Sequence, residues 1–144
     1  YTAVSYCWGE ATTSHVIKLN GRTFEVSDNL YQLLSVLRER KEKRWFWIDQ
    51  ICINQLDVEE RNAQVSLMSF IYSSAEAVFA WLGSSTATTG LGFGMLARLE
   101  EDAAQFASEE DLTDEEKEGL RTVSELLSRE YWTRLWIVQE VIYA

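Results

Sequence analysis

The apolar positions of the chain fall into short runs whose period changes along the sequence. Tyr1 to Trp8 is rich in β-branched and aromatic residues and stops at Gly9, which predicts a strand. Val16–Leu19 and Arg22–Val26 flank Asn20-Gly21, a pair that accepts positive φ at both turn positions, and so predict a β-hairpin. Leu30, Leu33, Leu34 and Leu37 recur at helical spacing behind a Ser27 or Asp28 cap. Trp45–Ile48 is continuously apolar up to Asp49 and predicts a strand buried on both faces. Asp57, with Glu60 three residues on, resembles a capping box for a helix to about Tyr72, with Val65, Met68, Ile71 and Tyr72 as its buried stripe. Ala77–Leu82 reads as another buried strand, closed by Gly83.

Beyond Gly83, Ser84–Thr89 has loop composition, and Gly90-Leu91-Gly92-Phe93-Gly94 reads as flexible linkage because it lacks a phosphate-loop ending. A helix carrying Met95, Leu96 and Leu99 follows. Thr113 and Glu116 form a second capping box, opening a helix with Leu120, Val123, Leu126 and Leu127. A last helical pattern begins near Thr133. Strands separated by helices imply crossover connections, so the expected fold is α/β: a three-layer sandwich with a mainly parallel central sheet, plus the hairpin and an acidic helical insertion.

The length of 144 residues fits a single domain spanning 1–144, and a chain that opens on Tyr1 is expected to be a segment of a longer multidomain protein. Charge is concentrated: nine of the ten net negative charges lie between Glu100 and Glu118, leaving the rest nearly neutral. That stretch reads either as a solvated helical face or as a docking surface for a basic partner. Nucleic acid is disfavoured, since phosphate binding needs clustered Lys and Arg. No apolar run reaches the roughly 18–20 residues of a membrane span. Two cysteines make no disulfide framework and suggest a reducing compartment, hence a cytoplasmic protein.

Several chemistries are disfavoured by the same inventory. His15 is the one histidine, so no metal site is expected. A pairing of His15 with Cys7 or Cys52 stays open, but both cysteines read as small core residues. The six tryptophans read mostly as core, with Trp8 and Trp136 as the exceptions. In a parallel sheet the strand C-termini share one edge, where ligands bind. Cys7–Glu10, Asp49–Gln55 and Gly83–Ser85 are expected to meet there. Asp49, Asn54 and Gln55 either satisfy backbone groups of a buried turn or bind a ligand beside Tyr6, Trp8 and Gly9.

These blocks resemble the fungal heterokaryon-incompatibility (HET) domain over nearly the whole chain. The carriers are Tyr1–Gly9, Val26–Leu30, Trp47–Asp57, Glu60-Arg61, Gln64-Val65, Ala80–Gly83 and Arg134–Glu140. Asp57, Glu60, Arg61 and Gln64 belong to the structural motif. Cys7 and Gln50 depart from the residues the family often carries. The resemblance implies an intracellular innate-immunity module that triggers programmed cell death after non-self recognition. It implies self-association and contacts with other domains of the same or partner incompatibility proteins.

The HET domain is in turn similar to Toll/interleukin receptor (TIR) domains, whose Trp-Cys-x-x-Glu-Leu block follows their third parallel strand. Trp136-Ile137-Val138-Gln139-Glu140-Val141 has that Trp-to-Glu spacing, which on a helix puts Trp136 and Glu140 on one face. Ile137 in place of Cys, the acidic insertion and the 16–26 hairpin depart from the pattern. In enzymatic TIR domains this glutamate serves NAD hydrolysis. The resemblance therefore implies Glu140 as catalytic residue, Trp8 or Trp136 stacking on a base, NAD as substrate and no permanently bound cofactor. It further implies that Glu140→Gln abolishes NAD cleavage and death while leaving the fold intact. Two alternatives stay open: Glu140 as an ordinary helix acid paired with Arg134 or Arg61, and a non-enzymatic adaptor that signals by self-association.

Overall fold

The computed structural model describes residues 1–9, 14–106 and 112–142, with the backbone alone for Ala104, Gln105, Gln139, Val141 and Ile142. Two compact units form, one from Tyr1–Gly83 with Thr133–Ala144 and one from Ser84–Trp132.

The first unit is built on a three-stranded parallel sheet. Strand β1 (Thr2–Tyr6) is central, with β4 (Phe46–Trp47) on one side and β5 (Ala77–Trp81) on the other. Thr2 pairs with both Phe46 and Ala77, and Tyr6 reaches Trp81. Every residue of β1 is buried. The β-strand period then sorts its side chains. Val4 and Tyr6 join Leu30, Leu33 and Leu37 of helix α1 (Asp28–Glu39). Ala3 joins Met68 and Tyr72 of α3 (Val58–Ser73). Helices therefore cover both faces of the sheet, and the expected α/β class with a parallel sheet stands. The hairpin, β2 (Ser14–Leu19) with β3 (Arg22–Ser27), forms a separate two-stranded sheet. Asn20 and Gly21 turn it at φ of 50° and 79°, the left-handed values that an Asn-Gly turn requires.

Several expectations are corrected. Among the described residues β4 and β5 are edge strands and neither is fully buried: both residues of β4 are half-buried, only Trp81 of β5 is buried, and Trp45 lies outside β4 and is 87% exposed. A continuously apolar run does not reveal how many neighbours its strand will have. Trp132 is exposed as well as Trp8 and Trp136, so the tryptophans are mostly surface residues. Val65 is exposed, because apolar residues surround α3 and only the side bearing Met68 and Tyr72 meets the sheet. Cys52 is an exposed residue of the short helix α2 (Asp49–Cys52) and not a core one.

Helix α1 starts at Ser27, whose hydroxyl accepts the Leu30 N–H. Helix α3 starts at Asp57, which accepts the Glu59 and Glu60 N–H groups at 3.0 Å. The reciprocal half of the expected box is missing. Glu60 reaches instead to the Asn54 N–H, at 3.0 Å, and so pins the loop before the helix. Asp57→Ala removes the acceptor for two orphan N–H groups and is expected to cost about 1 kcal/mol, read by urea unfolding.

In the second unit, α4 (Thr89–Asp102) and α5 (Asp114–Leu127) pack together. The glycine run expected to be linkage is the first turn and a half of α4. A Cβ on Gly92 would sit 2.7 Å from Thr122 Cγ2, so glycine there lets the helices approach closely. The Thr113–Glu116 capping box of α5 is complete. Of the acidic stretch 100–118, residues 107–111 lie outside the described residues, as does Glu10 of the strand-end cluster.

Candidate functional site at the strand ends

The C-terminal ends of β1, β4 and β5 share one edge, as parallel pairing demands, and polar side chains converge there. Asp49 opens α2 immediately beyond β4. Its carboxylate accepts the Trp8 indole N–H at 2.8 Å and the Gln50 backbone N–H at 2.7 Å. The single Tyr6 hydroxyl proton is shared between Gln50 Oε1, at 3.3 Å, and the Asp49 carboxylate. Burial, with the charge of Asp49 beside it, pushes the Tyr6 phenol well above its ordinary range, so it acts as a neutral donor. Burial also raises the Asp49 carboxyl, and the charge of Glu140 adds to this against the pull of the Trp8, Gln50 and Tyr6 donors.

A carboxyl whose affinity for protons rises on folding makes the native state bind more protons than the unfolded chain. Stability then falls as pH climbs from the ordinary carboxylate value through the raised one. Asp49→Asn is expected to flatten that fall, read by urea unfolding from about pH 4 upward. An unchanged slope would exclude Asp49 as its source.

Glu140 sits on α6 (Ile137–Ile142), is 2% exposed, and faces the middle of the sheet. Arg134 grips it with two hydrogen bonds, Nη1 to Oε2 at 3.0 Å and Nη2 to Oε1 at 2.9 Å. The Ser5 hydroxyl donates to Oε2 from the central strand. Burial works against the Arg134 charge, but the hydrogen bonds and charge of Glu140 outweigh it and hold the guanidinium pKa up. Arg134, not the exposed Arg61, is therefore the partner of Glu140.

Not all the expected residues come together. Helix α6 begins at Ile137 and not near Thr133, so Trp136 precedes it and is 44% exposed, whereas Glu140 is enclosed. The Trp136 carbonyl nevertheless accepts the Glu140 N–H at 3.2 Å, so the two stand one helical turn apart with different exposure. Asn54 accepts the Leu56 N–H at 3.2 Å, and Gln55 donates to the Asp49 carbonyl at 3.0 Å, both satisfying the turn. Gly9 turns the chain after β1 at φ of 74°. Gln64 lies half-buried within α3. His15 engages Asp28 at 2.7 Å and stacks on Tyr31. Among the described residues no cluster of His, Cys, Asp or Glu suits a metal, and no helix is long and apolar enough to cross a membrane.

Asn29 was not singled out by sequence reasoning, yet it ties the site together. Its amide donates to the Cys7 carbonyl at 2.6 Å and its oxygen accepts the Trp81 indole N–H at 2.8 Å, linking the ends of β1 and β5 to α1. Ser5 and Gln50 were missed for the same reason: their partners are remote in sequence. Beside this cluster a cavity of about 560 Å³ opens among Trp8, Phe24, Glu25 and the 50–56 segment.

A parallel α/β domain with its polar cluster at the strand ends is the class that fold and site define. The chain belongs to the heterokaryon incompatibility (HET) family, whose profile matches residues 1–140. It is 45% identical over 96 residues to heterokaryon incompatibility protein 6, OR allele, of Neurospora crassa. That match covers 58% of this chain and 14% of the relative, so the chain spans a small part of the protein it resembles. No solved structure matches the chain.

Proposed function

We propose that the chain is a cytoplasmic signalling module of fungal heterokaryon incompatibility that triggers programmed cell death after non-self recognition. Family membership and the incompatibility protein it resembles support that role. A TIR-like plan is part of the proposal, supported by three parallel strands in the order β4-β1-β5 with helices on both faces.

The reading favoured is the adaptor, acting by self-association and by contacts with other domains of incompatibility proteins. One observation carries it: both oxygens of Glu140 are occupied by Arg134 and Ser5 in a site closed to solvent. A carboxylate that stabilises a cationic sugar has to face it, and this one faces a guanidinium. Helix α3 meanwhile exposes Leu67 and Phe70, three residues apart on one face, as a surface for a second copy. Hydrolysis of NAD is the second reading, and the open cavity beside Asp49 and Trp8 favours it.

Phe70→Glu places a charge on a side chain that is 69% exposed, so folding is spared. It is expected to weaken self-association about ten-fold or more, measured by sedimentation, and to abolish death on expression in fungal cells. Concentrated parent protein is expected to leave NAD unconsumed. Rapid NAD loss, with killing intact in the Phe70 variant, would replace the adaptor by the enzyme.

A further inference from the structure

The cavity beside the strand ends has a chemistry of its own. Trp8 and Phe24 supply aromatic surface, and Glu25 and Glu60 are the charged residues of its lining, with no base among the described residues there. Glu60 uses one oxygen on the Asn54 N–H, and among the described residues neither its other oxygen nor the exposed Glu25 carboxylate has a side-chain partner. Trp8 is held in place by its indole N–H bond to Asp49. At about 560 Å³ the space suits a small organic ligand. Aromatic rings attract cations through their negative faces, and the two carboxylates, which form no ion pair among the described residues, add to that attraction while repelling phosphate.

We propose that this cavity binds a small, flat organic cation of the N-alkylated heteroaromatic class. A simple ammonium ion would gain from the carboxylates and the ring faces but would cover little of the apolar lining, whereas a flat ring can also stack on it. A neutral ring would gain from the walls but not from the charges. The oxidised nicotinamide ring of NAD belongs to this class, so the inference deepens the second reading above and rests on it only for the natural ligand. Binding is measured without turnover, so either can fail while the other holds.

The 144-residue chain provides the test. Its probes are the 1-methylnicotinamide cation and neutral nicotinamide, which match in shape and differ in charge. Titration at low salt is expected to show the cation bound about five- to ten-fold more tightly, with the preference shrinking as salt is raised. The double variant Glu25→Gln with Glu60→Gln keeps acceptors in place and is expected to bring the two probes within about two-fold. Trp8→Ala is expected to weaken both. Cys52 is exposed and lines the cavity, so its alkylation by iodoacetamide reports occupancy and is expected to slow when the cation is present. Equal affinity for the two probes, a charge preference that survives in the double variant, or unprotected Cys52 at saturating cation would overturn the proposal.

Discussion

Glu140→Gln is expected to destabilise the domain by about 3–5 kcal/mol, the cost of breaking a buried ion pair by removing one partner. The glutamate is 2% exposed, and the Arg134 side chain that faces it is 18% exposed. Glutamine can still accept from Ser5, but it leaves the guanidinium enclosed without its countercharge. This revises what the TIR resemblance implies, since the variant designed to spare the fold now breaks the enclosed ion pair between α6 and the segment that precedes it. Replacing both Arg134 and Glu140 by Met removes the two charges together, and most of the lost stability is expected to return. Urea unfolding of Arg134→Met, Glu140→Met and the double variant measures the coupling. A Glu140→Gln loss below about 1 kcal/mol would show that the pair contributes little beyond a surface bridge.

The same experiment separates structural from chemical roles. If Glu140 works by holding α6 on the sheet, killing by variants in this pair follows their stability, and the double Met variant regains both. If Glu140 acts on a substrate, the double variant regains stability and not killing.

The features legible in the sequence are those whose physics is local. Asn20-Gly21 needs only its own backbone to make a turn, and Thr113 with Glu116 need only one helical turn to make a box. The leucines of α1 are spaced by the helix itself, and three of the four are buried as expected. The parallel pairing of β1 with β4 and β5 also followed from the alternation of strands and helices. Harder to read were properties that depend on neighbours from elsewhere in the chain. Nothing in Trp45–Ile48 says that its strand stands at a sheet edge. Nothing in a glycine run says that a second helix will press against Gly92. Sequence left Arg134 and Arg61 as equal partners for Glu140, and only the packing of α6 against the sheet chose between them. The Asn29 bridge between two strand ends was illegible for the same reason.

Tyr72→Ala is expected to destabilise the domain by about 3–5 kcal/mol, the range for losing a large buried side chain. Tyr72 is 1% exposed, packs with Ala3 and Met68, and meets the Trp47 ring edge-on at 5.7 Å. Its hydroxyl donates to the Val4 carbonyl at 3.0 Å, so it joins α3 to the central strand by a polar bond as well as by packing. Tyr72→Phe keeps the ring and removes that bond, and is expected to cost about 1–3 kcal/mol. Phe70 stands two residues earlier on the same helix and points to solvent, where a charged replacement leaves stability nearly unchanged. The two positions therefore divide fold from signalling on one element. Tyr72 variants are expected to lose killing only as they unfold, following the denaturation midpoint, while Phe70→Glu loses it fully folded. Killing that survives in folded Phe70→Glu protein would move the association surface off α3.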